Sequence, residues 1–404
     1  MVTIDEIKTT EALAPDEYAN VVRRTVFDCC KWDPQLEDIS VLAPFALVLS
    51  PETWRLISDY AERLSAETLA MEAELVGRAD LQAELGIPRS ITRGIHAGTE
   101  TAHSVARVMR FDFHLTTEGW QVSEVNCDVP GGFIEASGFT QIMAEHYPEF
   151  VPAGDPSRTL AECIAGSLPH DSTIALVHAT AYTDDRQVMI FLSKEFQRSG
   201  MRCYLASPDQ LRWTNGKASV IGQGDVDAIL RFFPAEWLPN LGRRSQWPRF
   251  FTDSITPQCN PATALLVQSK RLPLVWNRLR APSETWRELL PETRDPREAE
   301  WHSDPSWILK PALGRVGSGI GMAEVTSSED WKPIRRSARW FPRNWIAQQR
   351  FEAVPVPTPS GMQFPCIGVY TVNGCACGIY GRIAQRSLID HRARDIAVLI
   401  PKEL

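Results

Sequence analysis

The stretch RVMRFDFHLTTEGWQVSEVNCDVPGG, at residues 107–132, alternates polar and apolar side chains on both sides of the tetrapeptide TTEG. Because successive side chains of a strand point to opposite faces, the alternation predicts a two-stranded hairpin. Its polar face would carry Arg110, Asp112, His114, Glu124, Asn126 and Asp128. Its other face would carry Met109, Phe111, Phe113, Leu115, Ser123, Val125 and Cys127. A row of acids and amides along a strand needs partners for its polar atoms.

A three-residue loop at residues 117–119, closed by its glycine in the left-handed conformation, would set the register of this hairpin. Asp112 then lies opposite Glu124, and Arg110 lies opposite Asn126. Two facing carboxylates repel each other, so this face needs a positive charge. Mg²⁺ would supply it, since it takes carboxylate oxygens and completes its shell with water and substrate phosphates. A solvated hairpin face, on which Arg110 pairs with an acid, explains the pattern equally well.

The composition favours a globular protein that handles small molecules. The 404-residue chain exceeds one ordinary core, which predicts two or three packed units. The formal net charge of -8 argues against nucleic acid or an anionic membrane as a partner. The first residues lack a basic region followed by an apolar run, and no segment stays apolar long enough to span a bilayer. Together with nine scattered cysteines, these features predict a cytoplasmic protein of undetermined oligomeric state.

The patterning predicts three regions along the chain. Residues 1–150 hold helices, with apolar residues at helical spacing over 51–85, followed by the hairpin. Residues 151–261 alternate strands with a helix from about 184 to 198, which predicts a small parallel α/β unit. Residues 262–404 hold strand-like runs at WILKPA, NWIAQQRF, FPCIGVYTV and CACGIYGRI around a glycine-rich loop.

Two lysines of the third region are candidate phosphate ligands. Lys310 ends the apolar strand of WILKPALGRVGSGIGM and precedes several glycines. A lysine there can reach a nucleotide phosphate, and glycines let backbone N–H groups close around one. The residue order fits neither a P-loop nor a G-x-G-x-x-G motif, so a mobile turn is the alternative. Lys270, within LLVQSKRLPLVW, is a second cation beside apolar residues, and its alternative role is a surface lysine.

In this order, the stretches resemble the synthetase domain of glutathionylspermidine synthase, a circularly permuted ATP-grasp ligase. The resemblance runs from about residue 85 onward and is carried by R-x-D and E-x-N-x-D-x-P, IALVHATAYTDD to FFPAEWL, QSKRLPLVW, LKPALGRVGSG, WIAQQRFEAVP and IGVYTVNGCACGIYGR. It implies an α/β (α+β) chain with a circularly permuted ATP-grasp fold and an inserted small parallel α/β unit like a pre-ATP-grasp domain. Residues 1–150 would then supply the metal-binding hairpin, and residues 262–404 would bind the nucleotide.

The resemblance also implies roles for individual residues, with ATP and Mg²⁺ as cofactors. Mg²⁺ would be held by Asp112, Glu124 and Asn126. The nucleotide would be held by Lys270, Lys310, Gly314, Gly317, Gly319, Gln348 and Gln349, and the transferring phosphoryl group by Arg110 and Arg382. The acid and amine substrates would contact Asp128, Gly131, Gly132, Asp184, Asp185 and Arg315. An arginine such as Arg315 can clamp a carboxylate, whereas acids such as Asp184 and Asp185 could equally cap the helix that follows them.

One segment departs from the family pattern. After E-x-N the family carries threonine and serine hydroxyls that help to seat glutathione, whereas this chain reads DVPGG. Val129, Gly131 and Gly132 remove those hydrogen bonds, so glutathione is expected to be a poor substrate. Ile383 also replaces the family's glutamate after the arginine that corresponds to Arg382.

The sequence therefore predicts an ATP- and Mg²⁺-dependent carboxylate–amine ligase, which forms an amide through an acyl phosphate and releases ADP. Two alternatives remain open at this point. One is a catalytically inactive nucleotide-binding homologue that acts as a regulatory or scaffolding subunit. The other is a ligase whose product is a thioester or a phosphorylated compound. Neither the acid nor the amine is identified by the sequence.

Overall fold

A computed structural model describes residues 7–36, 39–314 and 319–402 of the chain. Two residues assigned from the sequence, Arg315 and Gly317, lie outside the described residues. The described strands are β1 (Ile7–Thr9), β2 (Gln35–Leu36), β3 (Ile39–Ser40), β4 (Leu42–Leu49), β5 (Val108–Thr116), β6 (Gly119–Asn126), β7 (Phe150–Pro152), β8 (Thr173–His178), β9 (Arg202–Ala206), β10 (Leu211–Thr214), β11 (Lys217–Val220), β12 (Gly224–Asp225), β13 (Ala228–Phe232), β14 (Gln258–Cys259), β15 (Thr293–Arg294), β16 (Trp307–Pro311), β17 (Trp345–Gln349), β18 (Val356–Thr358), β19 (Gly361–Val372), β20 (Cys375–Ala384) and β21 (Arg394–Pro401).

The described α-helices are α1 (Pro15–Phe27), α2 (Pro51–Val76), α3 (Ala79–Gln82), α4 (Arg89–Ile95), α5 (Thr140–Ala144), α6 (Pro156–Gly166), α7 (Thr183–Arg198), α8 (Leu265–Gln268), α9 (Glu284–Leu289) and α10 (Ser328–Trp340). A π-helical turn precedes α5 at Ile134–Phe139. Short 3-10 helices lie at Pro208–Gln210, Ala235–Asn240, Arg243–Ser245, Trp247–Phe250, Ala262–Ala264, Leu272–Leu274, Trp276–Arg278 and Pro342–Asn344.

Helix α2 confirms the helical spacing predicted after residue 50. Its first turn is stabilised by Ser50, whose side chain accepts a hydrogen bond from the Thr53 N–H at 3.0 Å, and by Pro51, whose missing N–H costs nothing there. Its buried stripe, which includes Ile57 and Leu64, joins the same core as the apolar face of the hairpin. The helix therefore covers the side of the sheet opposite the polar residues.

Nine strands among the described residues form one large sheet, in the order β1-β4-β21-β20-β19-β5-β6, with β18 beside β19 and β7 beside β21. Strand β21 runs parallel to β4, whereas β20, β19, β5 and β6 follow one another antiparallel. The sheet thus combines strands from residues 1–150 and 262–404, and the division into three regions stays a prediction. Sequence patterning had not predicted β4, which is apolar along its whole length.

The hairpin β5–β6 has the predicted pairing of its polar residues. Asp112 lies opposite Glu124, and Arg110 lies opposite Asn126. The loop differs, however, because β6 begins at Gly119, which pairs with the last residue of β5 and leaves two residues in the turn instead of three. A β-bulge next to Asp112 adds one residue to β6 and restores the predicted register.

The bulge also changes which residues of β6 face the polar side. The Ser123 hydroxyl lies 3.0 Å from His114 Nε2, and it donates a hydrogen bond to the Asp112 carbonyl at 3.2 Å. The prediction that Ser123 joins the apolar face is therefore wrong. Val125 and Cys127 do join that face, where both are buried in the core.

The central region contains the predicted small parallel sheet, ordered β14-β13-β8-β9. All three strand pairs in it are parallel. Helix α7 follows β8 and begins within one residue of its predicted start. Since the chain passes from β8 to β9 on one side and to β13 on the other, the carboxyl ends of β8 and β13 form the switch point at which open α/β sheets bind ligands.

The third region confirms its four predicted strands as β16, β17, β19 and β20. Strands β16 and β17 form an antiparallel pair, with β15 on the outer side of β17. Strands β19 and β20 belong instead to the large sheet, next to the hairpin. The strand that carries Lys310 is therefore in a separate small sheet that packs near the polar face of β6.

Candidate functional site

A cavity of ≈ 370 Å³ lies between the hairpin, the carboxyl end of the central sheet and strand β16. The predicted site residues that line it are Arg110, Asp112, Glu124, Asn126, Gly131, Gly132, Asp185, Lys310 and Arg382. The structure thus brings residues from all three predicted regions into one place.

Asp112 is held by a bidentate ion pair on the floor of this cavity. Arg110 Nε donates to Asp112 Oδ1 at 2.7 Å, and Arg110 Nη2 donates to Oδ2 at 2.9 Å. Asn126 Nδ2 donates to the same Oδ2 at 3.1 Å. Across the strands, Gly368 leaves room for Arg110, whose Cδ would lie 2.8 Å from a Cβ at that position. Because Arg110 and Asp112 are 9% and 8% exposed, this face is buried rather than solvated.

Glu124 faces two lysines. Lys270 Nζ lies 2.9 Å from Glu124 Oε2 and also donates to the Gly314 carbonyl at 2.8 Å. Lys310 Nζ donates to the Ser123 carbonyl at 3.3 Å. Burial raises the pKa of Glu124, but the charges of Lys270 and Lys310 outweigh it and lower that pKa to about 2. For Lys310, burial lowers the pKa to about 8, although the charge of Glu124 opposes this shift.

The donor set suits Mg²⁺ better than a softer metal. Within the described ranges, no three or more His, Cys, Asp or Glu side chains are grouped so that they could hold a metal ion. Asp112, Glu124 and Asn126 instead offer two carboxylates and an amide on one wall, which fits a cation that keeps several waters and shares phosphate oxygens. Arg110 and Lys270 pair with the two carboxylates in this structure, so a bound cation would share them.

Arg110 belongs to a wider buried network. Its guanidinium stacks over the Tyr380 ring at 4.9 Å, and the Tyr380 hydroxyl donates to Asp395 Oδ1 at 2.7 Å. Lys31 Nζ lies 2.7 Å from a Glu135 oxygen and 3.7 Å from an Asp395 oxygen. Burial and the neighbouring Glu135 raise the pKa of Asp395 to about 6, although Lys31 opposes them. The N-terminal segment thus contributes a charge beneath the cavity.

Arg382 lines the cavity from β20, as the resemblance implies. Its Nη2 donates to the Asp390 carbonyl in the loop between β20 and β21. The Arg382 Nε has no hydrogen-bond partner among the described residues. An arginine held by one nitrogen can direct its remaining donors at a ligand.

Asp128 lies outside the cavity, behind its wall. Strand β6 ends at Asn126, so the alternation does not extend to residue 128. The Asp128 side chain is fully buried, its Oδ1 accepts from Arg231 Nη2 at 2.5 Å, and its Oδ2 accepts from the Ala235 N–H at 3.0 Å. The prediction that Asp128 shares a face with Glu124 is therefore wrong. Its contacts with Arg231 and Ala235 connect the end of the hairpin to the central unit.

Gln348 and Gln349, assigned to the nucleotide, lie on β17 and are not among the described residues that line the cavity. Gln348 Nε2 donates to Thr293 Oγ1 at 2.9 Å, within the small sheet. The cavity wall includes the next two residues, Arg350 and Phe351. The resemblance had not pointed to these two residues.

Further wall residues on this side are Ile308 and Met322, which the sequence had not singled out either. The Phe351 ring lies 4.9 Å from the His114 ring. Burial, and then the charge of Lys310, lower the pKa of His114 to about 3, so His114 is neutral at ordinary pH. Apolar side chains and Lys310 on one side of the cavity have the chemistry that a nucleotide base and its phosphates require.

The loop after the hairpin has open space at Gly131 but not at Gly132. At Gly131 no described atom lies within 4 Å of an added Cβ. At Gly132, whose φ is +96°, an added Cβ would lie 2.8 Å from the Tyr380 ring. Asp185 lines the cavity, whereas Asp184 is exposed beside it in the first turn of α7. Both acids are placed to stabilise the helix dipole, so an amine contact remains a prediction for them.

The fold and the cavity together define a mixed α/β protein with a charged small-molecule site. The family model for the glutathionylspermidine synthase pre-ATP-grasp domain matches residues 45–401. The chain therefore belongs to that family, as the sequence motifs had implied. Membership points to a synthetase-like ligase that acts on small molecules.

A crystal structure from Methylobacillus flagellatus KT, described as a candidate gamma-glutamylcysteine synthetase, overlaps the chain with a TM-score of 0.44 and 11% sequence identity. The overlap covers 82% of this chain and 88% of that chain. At this level of likeness, nothing about the activity transfers to the chain. No curated protein sequence matches it significantly. In the described ranges, none of the helices has the length and apolar character needed to cross a membrane.

Proposed function

We propose that the protein is an ATP- and Mg²⁺-dependent carboxylate–amine ligase that releases ADP, built on a circularly permuted ATP-grasp fold. One observation carries the proposal: Asp112 and Glu124 face each other on a cavity wall beside Arg110, Lys270 and Lys310. Burying so many charges is costly, and folding alone does not require it. Two acids and three cations are what a metal ion and nucleotide phosphates need as partners.

In the proposed reaction, the γ-phosphoryl group moves from ATP to the substrate acid, and the amine then displaces phosphate from the acyl group to form the amide. Lys270 and Lys310 bind the phosphates, and Arg110 and Arg382 stabilise the charge on the group in transit. Bound Mg²⁺ would lower the negative charge on the same oxygens. The apolar residues that line the cavity would exclude water, which would otherwise hydrolyse the acyl phosphate.

The test is ADP release from ATP and Mg²⁺ with mixtures of acids and amines, followed by mass spectrometry of the products. An amide whose formation matches ADP release mole for mole is the expected result. Glutathione with spermidine should be used at least about 100-fold less efficiently than the best pair, because the hydroxyls that seat glutathione are missing. A thioester or a phosphorylated product would show that the enzyme does not form an amide, but it would leave the proposed nucleotide site unchanged.

A second candidate is a nucleotide-binding protein without ligase activity. One observation favours it: Arg110 and Lys270 already neutralise the two carboxylates of the proposed metal site. Such a protein would bind a non-hydrolysable ATP analogue yet release no ADP with any mixture.

A cytoplasmic location is also part of our proposal, supported by nine cysteines that are all free thiols.

A further inference from the structure

One part of the cavity lining is apolar. It consists of Val129, Phe232, Pro234 and Trp237, which we call the apolar wall. Phe232 is the last residue of β13, Pro234 and Trp237 follow that strand, and Val129 follows the hairpin. The Ala235 N–H donates a hydrogen bond to the Asp128 side chain, and this bond holds the two segments together. The apolar wall therefore lies at the switch point of the central sheet.

Trp237 is the largest member of this wall and is held in place by other rings. Its ring centroid lies 5.9 Å from that of Phe233, at 82°, and 6.1 Å from that of Tyr182. Nevertheless 36% of Trp237 is exposed. A tryptophan that is fixed but partly uncovered offers a rigid apolar surface to a ligand rather than filling a core.

A short loop connects the apolar wall to the charged end of the cavity. Two residues after Val129, the Gly131 carbonyl accepts hydrogen bonds from Arg110 Nη1, at 2.5 Å, and from the Tyr370 hydroxyl. No described atom occupies the space beside Gly131. A ligand whose carboxylate meets Arg110 can therefore extend across Gly131 to the apolar wall.

Given the proposed ligase function, on which this step rests, we propose that the acid substrate is a monocarboxylate with an aromatic or branched aliphatic side chain. That side chain lies against the apolar wall. Apolar surface gains free energy when it is buried there, whereas a charged group would lose its hydration without a partner. Hydrophobic pockets discriminate by about 10–200-fold for a single methylene, so a phenyl or isobutyl group should be preferred by at least about tenfold.

The experiment is isothermal titration of the full chain, saturated with Mg²⁺ and a non-hydrolysable ATP analogue, with four probe acids. 3-Phenylpropanoate and 4-methylpentanoate are expected to bind at least about tenfold more tightly than succinate and glutathione. Equal or tighter binding of succinate or glutathione would overturn the proposal. So would the absence of measurable binding by all four acids.

Two variants of the apolar wall and one control test whether this wall causes the preference for apolar acids. Trp237→Ala should remove most of the preference for 3-phenylpropanoate, and Trp237→Phe should keep most of it, while both bind the ATP analogue like the wild type. Trp340→Ala is the matched control, because Trp340 is 71% exposed at the end of α10. If Trp237→Ala behaves like Trp340→Ala, the apolar wall does not seat the acid. Should the probes bind as expected but release no ADP with any amine, the ligase proposal fails while the binding preference stands.

Discussion

Asp128→Asn should strongly lower the free energy of unfolding, because it disrupts an ion pair that water does not reach. The side chains of Asp128 and Arg231 are both 0% exposed, and their charged atoms lie 2.5 Å apart. The second carboxylate oxygen accepts from the Ala235 N–H at 3.0 Å. The substitution would leave the Arg231 guanidinium in a buried position opposite a neutral amide.

The expected decrease in the free energy of unfolding follows from these contacts. Removing one partner of a buried pair costs about 3–5 kcal/mol, and the amide oxygen of asparagine retains one acceptor, which places Asp128→Asn near about 3 kcal/mol. Arg231→Met should cost more, since Arg231 also donates to the carbonyls of Phe233, at 2.6 Å, and Asn260, at 3.1 Å. Each carbonyl left without a donor adds about 1–3 kcal/mol.

Urea unfolding at pH 7, followed by tryptophan fluorescence and circular dichroism, measures both losses. Asp225→Asn is the matched control, since Asp225 is 66% exposed and pairs with Lys217 at 3.0 Å on the surface, where such pairs contribute little. An Asp128→Asn midpoint equal to that of Asp225→Asn would refute the structural role. An unchanged midpoint together with a raised KM for the acid would restore the substrate contact first predicted for Asp128.

Three further predictions concern the cavity. Asp112→Asn and Glu124→Gln should each abolish Mg²⁺-dependent ADP release, because each removes a negative charge from the proposed metal site, and each should also lower the free energy of unfolding, because it leaves a largely buried cation opposite a neutral amide. The kcat/KM for ATP should fall as the pH rises through about 8, since the pKa of Lys310 is lowered to about 8 by burial and the lysine loses its charge there. Gly132→Ala should reduce both stability and turnover, because its Cβ would lie 2.8 Å from an aromatic ring at a φ of +96°, whereas Gly131→Ala should fold like the wild type.

ADP release and circular dichroism check the first prediction, and near-normal turnover in either variant would show that the metal site is misassigned. For the second, a pH profile of Lys310→Met serves as the control, because it should lack the decrease above pH 8. The same lowered pKa means that the folded state holds fewer protons than the unfolded state between pH 8 and 10.5, so the contribution of Lys310 to stability rises across that window. Equal melting temperatures for the two glycine variants would contradict the third prediction.

The hairpin shows how far sequence reasoning reaches. Period-two alternation placed Arg110, Asp112, Glu124 and Asn126 on one face because that pattern reports directly on strand geometry. The loop and the bulge could not be predicted, because a two-residue turn with a bulge and a three-residue turn give the same register beyond Ser123. The two differ in the pairing between the turn and Ser123, where Gly119 lies opposite Thr116, and in the contact between Ser123 and His114.

Features that depend on contacts between distant parts of the chain could not be predicted from the sequence. Strand β4 has no alternation, since both of its faces are covered, and a wholly apolar strand gives no period-two signal. Asp128 was placed beside Glu124 and Asn126 because it continues their period-two spacing, and nothing in the sequence indicated its partner, Arg231, which lies far away in the chain. The apolar wall was invisible for the same reason: Val129 and Trp237 are distant in the chain and meet only through the folded central unit.

The arrangement of the large sheet constrains how the chain can acquire its structure during synthesis. Leu47 in β4 pairs with Val398 in β21, so the middle of the sheet cannot close until almost the whole chain has left the ribosome. The central parallel sheet draws its strands from a much shorter stretch and can form earlier. Until β21 arrives, the apolar edge of β4 lacks its neighbour, and nascent chains stalled before residue 394 should be the ones that depend on chaperones.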